Sequence, residues 1–140
     1  MNSGTDKTNS NGGGADGEHG AVIRRAFREL TGKQGWRRVI FSTAGKSGRI
    51  EVAFNDQCFR LQVRHGERKG LAVKLRALGF PLPENWIVSR DRPQTLISSG
   101  SLELIVTAGE KAAVEAWVGE VGRNILGWTA TKKISARLER

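Results

Sequence analysis

The chain lacks most of what a catalytic, metal-binding or membrane-spanning protein would carry. Cys58 is the only cysteine in 140 residues. That excludes an internal disulfide and a cysteine-rich zinc site, and it fits a reducing, cytoplasmic compartment. No apolar run approaches the roughly 18 residues needed to cross a bilayer. No apolar segment follows Met1 as a secretory signal would require. The two histidines, His19 and His65, stand far apart in the chain. No H-E-x-x-H, paired-carboxylate or Ser-His-Asp spacing accompanies them. The sequence therefore reads as a non-enzyme that needs no metal or cofactor. His65 reads as a surface loop residue. Cys58 reads as an ordinary thiol, because no general base stands near it, although Arg60 would favour a thiolate. Asp91, between Arg90 and Arg92, reads as part of a local surface pair.

A missing glycine decides the one motif that suggests an enzyme. "STAGKSGR", residues 42–49, supplies the second half of a G-x-x-x-x-G-K-[ST] phosphate loop in Gly45, Lys46 and Ser47. The first glycine would fall at Ile40, and without it the backbone cannot curl around a phosphate. The flanks disagree as well. "RRVIFS" and "RIEVAF" both alternate as strands, whereas a phosphate loop leads from a strand into a helix. The stretch reads as a hairpin loop.

The first twenty residues, "MNSGTDKTNSNGGGADGEHG", contain almost nothing apolar. They cannot repay the entropy of ordering, so they read as a disordered tail. What is abundant is positive charge: 23 Lys and Arg face 14 Asp and Glu, a formal +9. The tail contributes Lys7 against Asp6, Asp16 and Glu18, so residues 21–140 carry about +11. A domain that basic attracts polyanions, among them nucleic acid, acidic proteins and membrane lipid.

From residue 21 the pattern is helix, three strands, helix, two strands, helix. "AVIRRAFREL" sets Val22, Ile23, Ala26, Phe27 and Leu30 against Arg24, Arg25 and Arg28, and Gly32 can end it in the left-handed conformation. Strands near 37–42, 49–54 and 58–64 turn Val39 and Phe41, Ile50, Val52 and Phe54, and Phe59, Leu61 and Val63 to one face. Asn55-Asp56 suits a tight turn between the last two. The other face receives Arg38, Arg49, Glu51, Arg60, Gln62 and Arg64. "ERKGLAVKLRAL" is a helix burying Leu71, Leu75 and Leu78, with Val73 and Ala77 on its far side and Gly79 as its stop. "NWIVSR" and "SLELIVT" are two further strands. Thr107 and Glu110 have capping-box spacing before a last helix whose stripe is Val114, Trp117, Val118, Val121 and Ile125. Gly127 stops it, and "TKKISARLER" reads as a basic tail or frayed helix. Trp86 and Trp117 read as core; Trp36 and Trp128 sit at element ends, where a rim contact and an exposed anchor both fit.

The expected fold is thus α+β: a two-layer sandwich with an antiparallel five-stranded sheet, helices on one face, and the order α-β-β-β-α-β-β-α. Residues 1–20 form the tail, 21–128 a single domain, and 129–140 a basic C-terminal tail.

This order resembles that of the type III secretion chaperone and YbjN-like superfamily. "KLRALGFPLPENW", residues 74–86, is similar to that group's helix-to-strand segment, where Leu-Gly-aromatic precedes prolines and a buried aromatic. "GWRRV" at 35–39 and the Trp-containing last helix fit the same pattern. The resemblance implies a small bacterial homodimer without a catalytic motif that binds extended segments of other proteins, in a chaperone-like role.

Two functions remain. One is a protein- or peptide-binding module, with Val73 and Ala77 of the second helix, and the strand after it, as candidate dimer contacts. The alternative is a nucleic-acid-binding module that contacts the phosphate backbone. Either would use the arginines of the first helix (Arg24, Arg25, Arg28) or of the wet sheet face (Arg38, Arg49, Arg60, Arg64). Single-strand binders stack bases on aromatics projecting from an open sheet, and none is expected there, which favours the protein partner.

Overall fold

The computed structural model describes residues 11–44 and 48–140, with side chains from Glu18 onward. The chain runs α1 (Asn11–Leu30), β1 (Arg38–Ser42), β2 (Arg49–Phe54), β3 (Cys58–His65), α2 (Leu71–Ala77), β4 (Ile87–Arg92), β5 (Gly100–Thr107), a single 3-10 turn (Ala108–Glu110), α3 (Lys111–Asn124) and β6 (Ser135–Glu139). All six strands join one antiparallel sheet in the order β4-β5-β3-β2-β1-β6. Helices pack on one face, so the α+β expectation holds in outline.

The sheet has one strand more than expected. β6 lies inside the segment read as a basic tail or frayed helix, and it pairs along the whole of β1, Ser42 with Ser135 through Arg38 with Glu139. Its alternation is genuine. Ala136 and Leu138 turn to the core, while Ser135, Arg137 and Glu139 face the other way. Trp128 and Ile134 before it are buried as well. The domain therefore extends past the expected boundary at 128. At the other end, residues 1–10 of the expected tail lie outside the described residues. His19, placed in that tail by composition, is buried; its Nε2–H donates to the Lys132 carbonyl at 2.5 Å and its ring meets Trp128 edge-on.

The core forms where the alternating strand residues meet the helix stripes. Val39, Phe41, Ile50, Val52, Phe59, Leu61 and Val63 are buried beneath Ile23, Ala26, Phe27 and Leu30 of α1 and Val114, Trp117, Val118 and Val121 of α3. Phe27 touches both Phe41 and Phe59. Gly122 lets α3 accept the Trp128 indole, since a Cβ there would collide with the ring. Trp86 packs against Trp117. Burying a large apolar side chain contributes roughly 1.5–3 kcal/mol, so this shared layer dominates the favourable side of folding.

Several local expectations change. The hairpin reading of 42–49 fits the antiparallel β1–β2 pairing, although residues 45–47 themselves lie outside the described residues. The Asn55 turn forms as expected: Asn55 Oδ1 accepts the N–H groups of Gln57 and Cys58 at 2.9 and 2.8 Å, and Asp56 takes φ 75°. Gly79 and Gly127 end their helices at positive φ, but near α1 the positive-φ glycine is Gly35, not Gly32. α2 is shorter than expected and leaves Leu78 exposed. The capping box does not close. Thr107 and Glu110 make no side-chain cap bond, and Glu110 instead accepts the Trp86 Nε1–H at 3.2 Å.

Asp91 is not a surface partner of its flanking arginines. Strand alternation turns it to the helix side, where its carboxylate accepts the N–H of Leu71 at 2.9 Å and of Ala72 at 3.3 Å. It caps α2 from twenty residues away in sequence. A negative charge is favourable at that end of a helix, and it satisfies two donors that have no partner within the helix. Nor is His65 a surface loop residue. It is the last residue of β3 and is buried opposite Gly100, where any side chain would clash with the imidazole. Its Nδ1 accepts the Glu67 N–H at 3.0 Å, and its Nε2 has no partner among the described residues. Burial pushes the imidazole's pKa below its ordinary value, against the opposing pull of Glu67 and Asp91.

Candidate binding surface

Among the described residues the second sheet face is uncovered, and strand register arranges its side chains in rows. Arg92, Ser101, Arg64 and Arg49 follow one another across β4, β5, β3 and β2. In the next row Arg90, Glu103, Gln62, Glu51, Ile40 and Arg137 span all six strands. Ile105, Arg60, Ala53, Arg38 and Glu139 make a third. The alternation that buries the core fixes this placement, because the side-chain period along a strand is two. Arg38, Arg49, Arg60 and Arg64 do share one face, as expected. The register adds Arg90, Arg92 and Arg137 to them.

The face is only partly neutralised. Arg38 Nε donates to Glu139 at 2.8 Å and Arg38 also reaches Glu51 at 3.3 Å. Arg49 reaches Glu51 at 3.4 Å, Arg90 reaches Glu103 at 3.7 Å, and Arg137 reaches Glu139 at 3.0 Å. The Arg38 hydrogen bond is the main reason that the Glu139 carboxyl titrates below its usual range. Arg60, Arg64 and Arg92 have no carboxylate partner among the described residues. Arg49 and Arg64 stand directly opposite one another, an arrangement of like charges that costs stability.

Depressions mark this face among the described residues. A shallow one of about 210 Å³ lies at its middle, between Arg38, Arg60, Gln62 and Ser89, over the small Ala53. A larger groove of about 560 Å³ lies where β3, β4 and β5 meet the loop 93–99, lined by Arg64, Arg90, Arg92, Thr95, Ser98 and Ser101. Ser101 Oγ is buried there and has no hydrogen-bond partner among the described residues. Cys58 and Thr107 close the far end of the face, and Cys58 is half-buried.

The first helix does not join this surface. Arg24, Arg25 and Arg28 are exposed on α1, which lies on the covered side of the sheet. They also diverge. Arg24 borders the groove against α3 beside Glu115, whereas Arg25 borders the one against Ala136 and Leu138 of β6. The Glu115 carboxyl is raised, chiefly by burial, with Lys111 and Arg24 opposing. The two arginine groups are thus separate surfaces.

The sheet's β4 end is where apolar side chains reach solvent. β4 pairs only with β5 and leaves its other edge free among the described residues. Ile87 is 60 % exposed on the open face and Val88 45 % exposed on the helix face. α2 is too short to cover them, and its own Val73 is 62 % exposed, with Ala77 and Leu78 also exposed. The expected contact surface, Val73, Ala77 and the strand after their helix, includes Ile87 and Val88, whose exposure could not be read locally because an apolar strand looks buried until its neighbour is found to be absent. Trp36, left open between rim contact and anchor, is half-buried at the opposite end, with the Arg140 guanidinium stacked 4.2 Å over its ring. Trp128 belongs to the core.

Among the described residues no three His, Cys, Asp or Glu side chains are grouped to hold a metal ion, and no helix is long and apolar enough to cross a membrane. Comparison with known protein families, curated proteins and solved structures finds no match to this chain.

Proposed function

We propose that the protein is a non-enzymatic, chaperone-like binding module that takes extended segments of other proteins by adding them as a strand beside β4. The observation that carries this reading is the free outer edge of β4, bordered by Ile87 and Val88 and flanked by Arg90 and Arg92. An edge strand offers unpaired N–H and C=O groups, and a peptide in β-conformation satisfies them. Alternating pockets then select side chains. Here the apolar neighbours Val73, Ile87 and Val88 suit apolar residues, and Arg76, Arg90 and Arg92 suit acidic ones. The preferred segment is therefore extended, with acidic and apolar residues mixed. The resemblance to the type III secretion chaperone and YbjN-like superfamily supports the same reading.

A synthetic peptide alternating Glu with Val tests it by fluorescence anisotropy and amide hydrogen exchange. Binding should slow exchange in 87–92 and weaken at least tenfold in a variant carrying Ile87→Asp and Val88→Asp. Unchanged exchange along β4 in the bound state would reject strand addition. A second copy of the chain could occupy the same edge through Val73, Ala77 and β4. Sedimentation at micromolar concentration separates this dimer from a monomer awaiting a peptide.

A second reading rests on the uncovered sheet face, where seven arginines outnumber the glutamates Glu51, Glu103 and Glu139. It is contact with a nucleic-acid phosphate backbone. Such binding would weaken steeply with salt and be nearly blind to base sequence. Arg60→Glu with Arg64→Glu should abolish it while leaving the peptide site intact.

A further inference from the structure

The loop between β4 and β5 inverts ordinary turn chemistry. Thr95-Leu96-Ile97-Ser98 is a four-residue turn whose two central residues are Leu and Ile, where Gly, Asn, Asp or Pro is usual. Leu96 is 102 % exposed and Ile97 95 %. No core contact accounts for them.

The turn is nevertheless well held. Thr95 N–H donates to the Ser98 carbonyl at 2.9 Å. Thr95 Oγ1 accepts the Ile97 and Ser98 N–H groups at 3.3 and 3.1 Å and lies 2.9 Å from Ser98 Oγ. Gln94 N–H ties the loop to the Glu67 carbonyl at 2.7 Å. Two apolar side chains are thus presented at the tip of a braced loop.

At the foot of that tip lies the groove of about 560 Å³ with Arg64, Arg90, Arg92 and the Ser101 hydroxyl, which has no partner among the described residues. Arg68 and Lys69 are exposed in the adjoining loop 66–70, which holds Gln94 through Glu67. Asp91 does not neutralise this group, since its carboxylate is committed to α2 on the other face.

We propose that this corner docks onto an anionic lipid bilayer, with Leu96 and Ile97 entering the acyl boundary and lipid phosphates entering the arginine groove. The juxtaposition selects the occupant. A folded protein partner would need large apolar side chains around the two residues, but the groove beside them is lined by three arginines, Thr95, three serines, Gln62, Pro93 and Gly100. A bilayer accepts an isolated apolar tip, because the lipid provides the apolar surroundings and the headgroups lie one layer above. Guanidiniums paired bidentately with phosphate, beside hydroxyl donors, match that layer. Each cation near an anionic surface adds to the attraction. This surface shares Arg90 and Arg92 with the β4 edge, whereas Leu96 and Ile97 belong to it alone, so L96S/I97S separates vesicle binding from peptide binding.

The test is flotation of the full chain with phosphatidylcholine vesicles, with and without phosphatidylserine. Binding is expected only where phosphatidylserine is present. L96S/I97S should weaken it about tenfold or more, given the apolar burial lost. R64A/R92A should weaken it by roughly fivefold per arginine removed. All these side chains are on the surface, and thermal melts matching the parent would confirm that both variants fold. Equal binding to neutral vesicles, or binding unaffected by L96S/I97S, overturns the proposal. So does failure to bind any vesicle while inorganic phosphate shifts the Arg64 and Ser101 amides, which would leave a soluble-phosphate site. A single-stranded oligonucleotide bound equally well by parent and L96S/I97S, with no vesicle binding, would assign the arginines to nucleic acid instead.

Discussion

The two ends of the sheet are finished differently. At the β6 end, Ala136 and Leu138 tuck under α1, Glu139 bonds both Arg38 and Arg137, and Arg140 reaches the Gln34 carbonyl while stacking on Trp36. Both apolar and charged side chains there have partners within the chain. At the β4 end a seven-residue helix covers too little, so Ile87, Val88 and Val73 stay partly exposed, and Arg92 has no carboxylate partner among the described residues. The comparison separates two uses of the same element. An edge strand that shares its side chains with the rest of the fold adds stability. One that leaves them free costs little to alter and remains available to a partner.

The largest effect expected from this contrast is at the β6 end. Ending the chain after Trp128 removes five paired residues and the buried Ile134, and should cost at least about 3 kcal/mol in urea unfolding. A truncated protein as stable as the parent would mean that β6 is an ornament. Asp91→Ala should come next, at about 0.5–2 kcal/mol, because two N–H groups of α2 lose their acceptor. Asp91→Asn should restore part of that loss, since an amide oxygen can still accept.

The third effect is on pH dependence. Burial holds the His65 pKa below its ordinary 6.5. The unfolded chain then takes up the proton first, so this contribution is complete above about pH 6.5 and is lost as the pH falls toward the folded value. Unfolding midpoints measured across that window should drop on acidification for the parent and drop less for His65→Gln. Parallel curves would show that His65 does not titrate there. At the β4 end, Ile87→Asp with Val88→Asp should cost no more than about 2 kcal/mol, the part of their burial and strand propensity that is lost. A larger loss would show that the edge is covered in solution, by a second copy or otherwise. Smallest of all, Glu139→Gln should leave the melting temperature unchanged, because exposed ion pairs contribute little.

Much of the fold could be read locally. Val39 and Phe41, Ile50 and Val52, and Phe59, Leu61 and Val63 announce their strands by period-two alternation, and Val114 to Val121 announce α3 by helical spacing. The arginines of the wet face follow from the same alternation. What escaped depends on contacts distant in sequence. "SARLE" alternates too, but it stands in a basic stretch at the chain's end and is a strand only because β1 offers an edge. Asp91 caps a helix twenty residues earlier. His65 is buried because Gly100 happens to face it. Leu96 and Ile97 are apolar, a property that ordinarily argues for burial, yet the turn holding them points into solvent.

The amino-acid sequence by itself determined which side chains share a strand face or a helix stripe, and so determined an α+β sheet with one apolar and one cationic face. Covalent geometry imposes those periods residue by residue, and no distant contact is needed to read them. Only the tertiary structure decided which strand lies at each edge and which charges find partners. It also decided which apolar residues are left outside. Each of these depends on what stands across a gap from the residue, and such neighbours are set by chain folding over many residues rather than by local pattern.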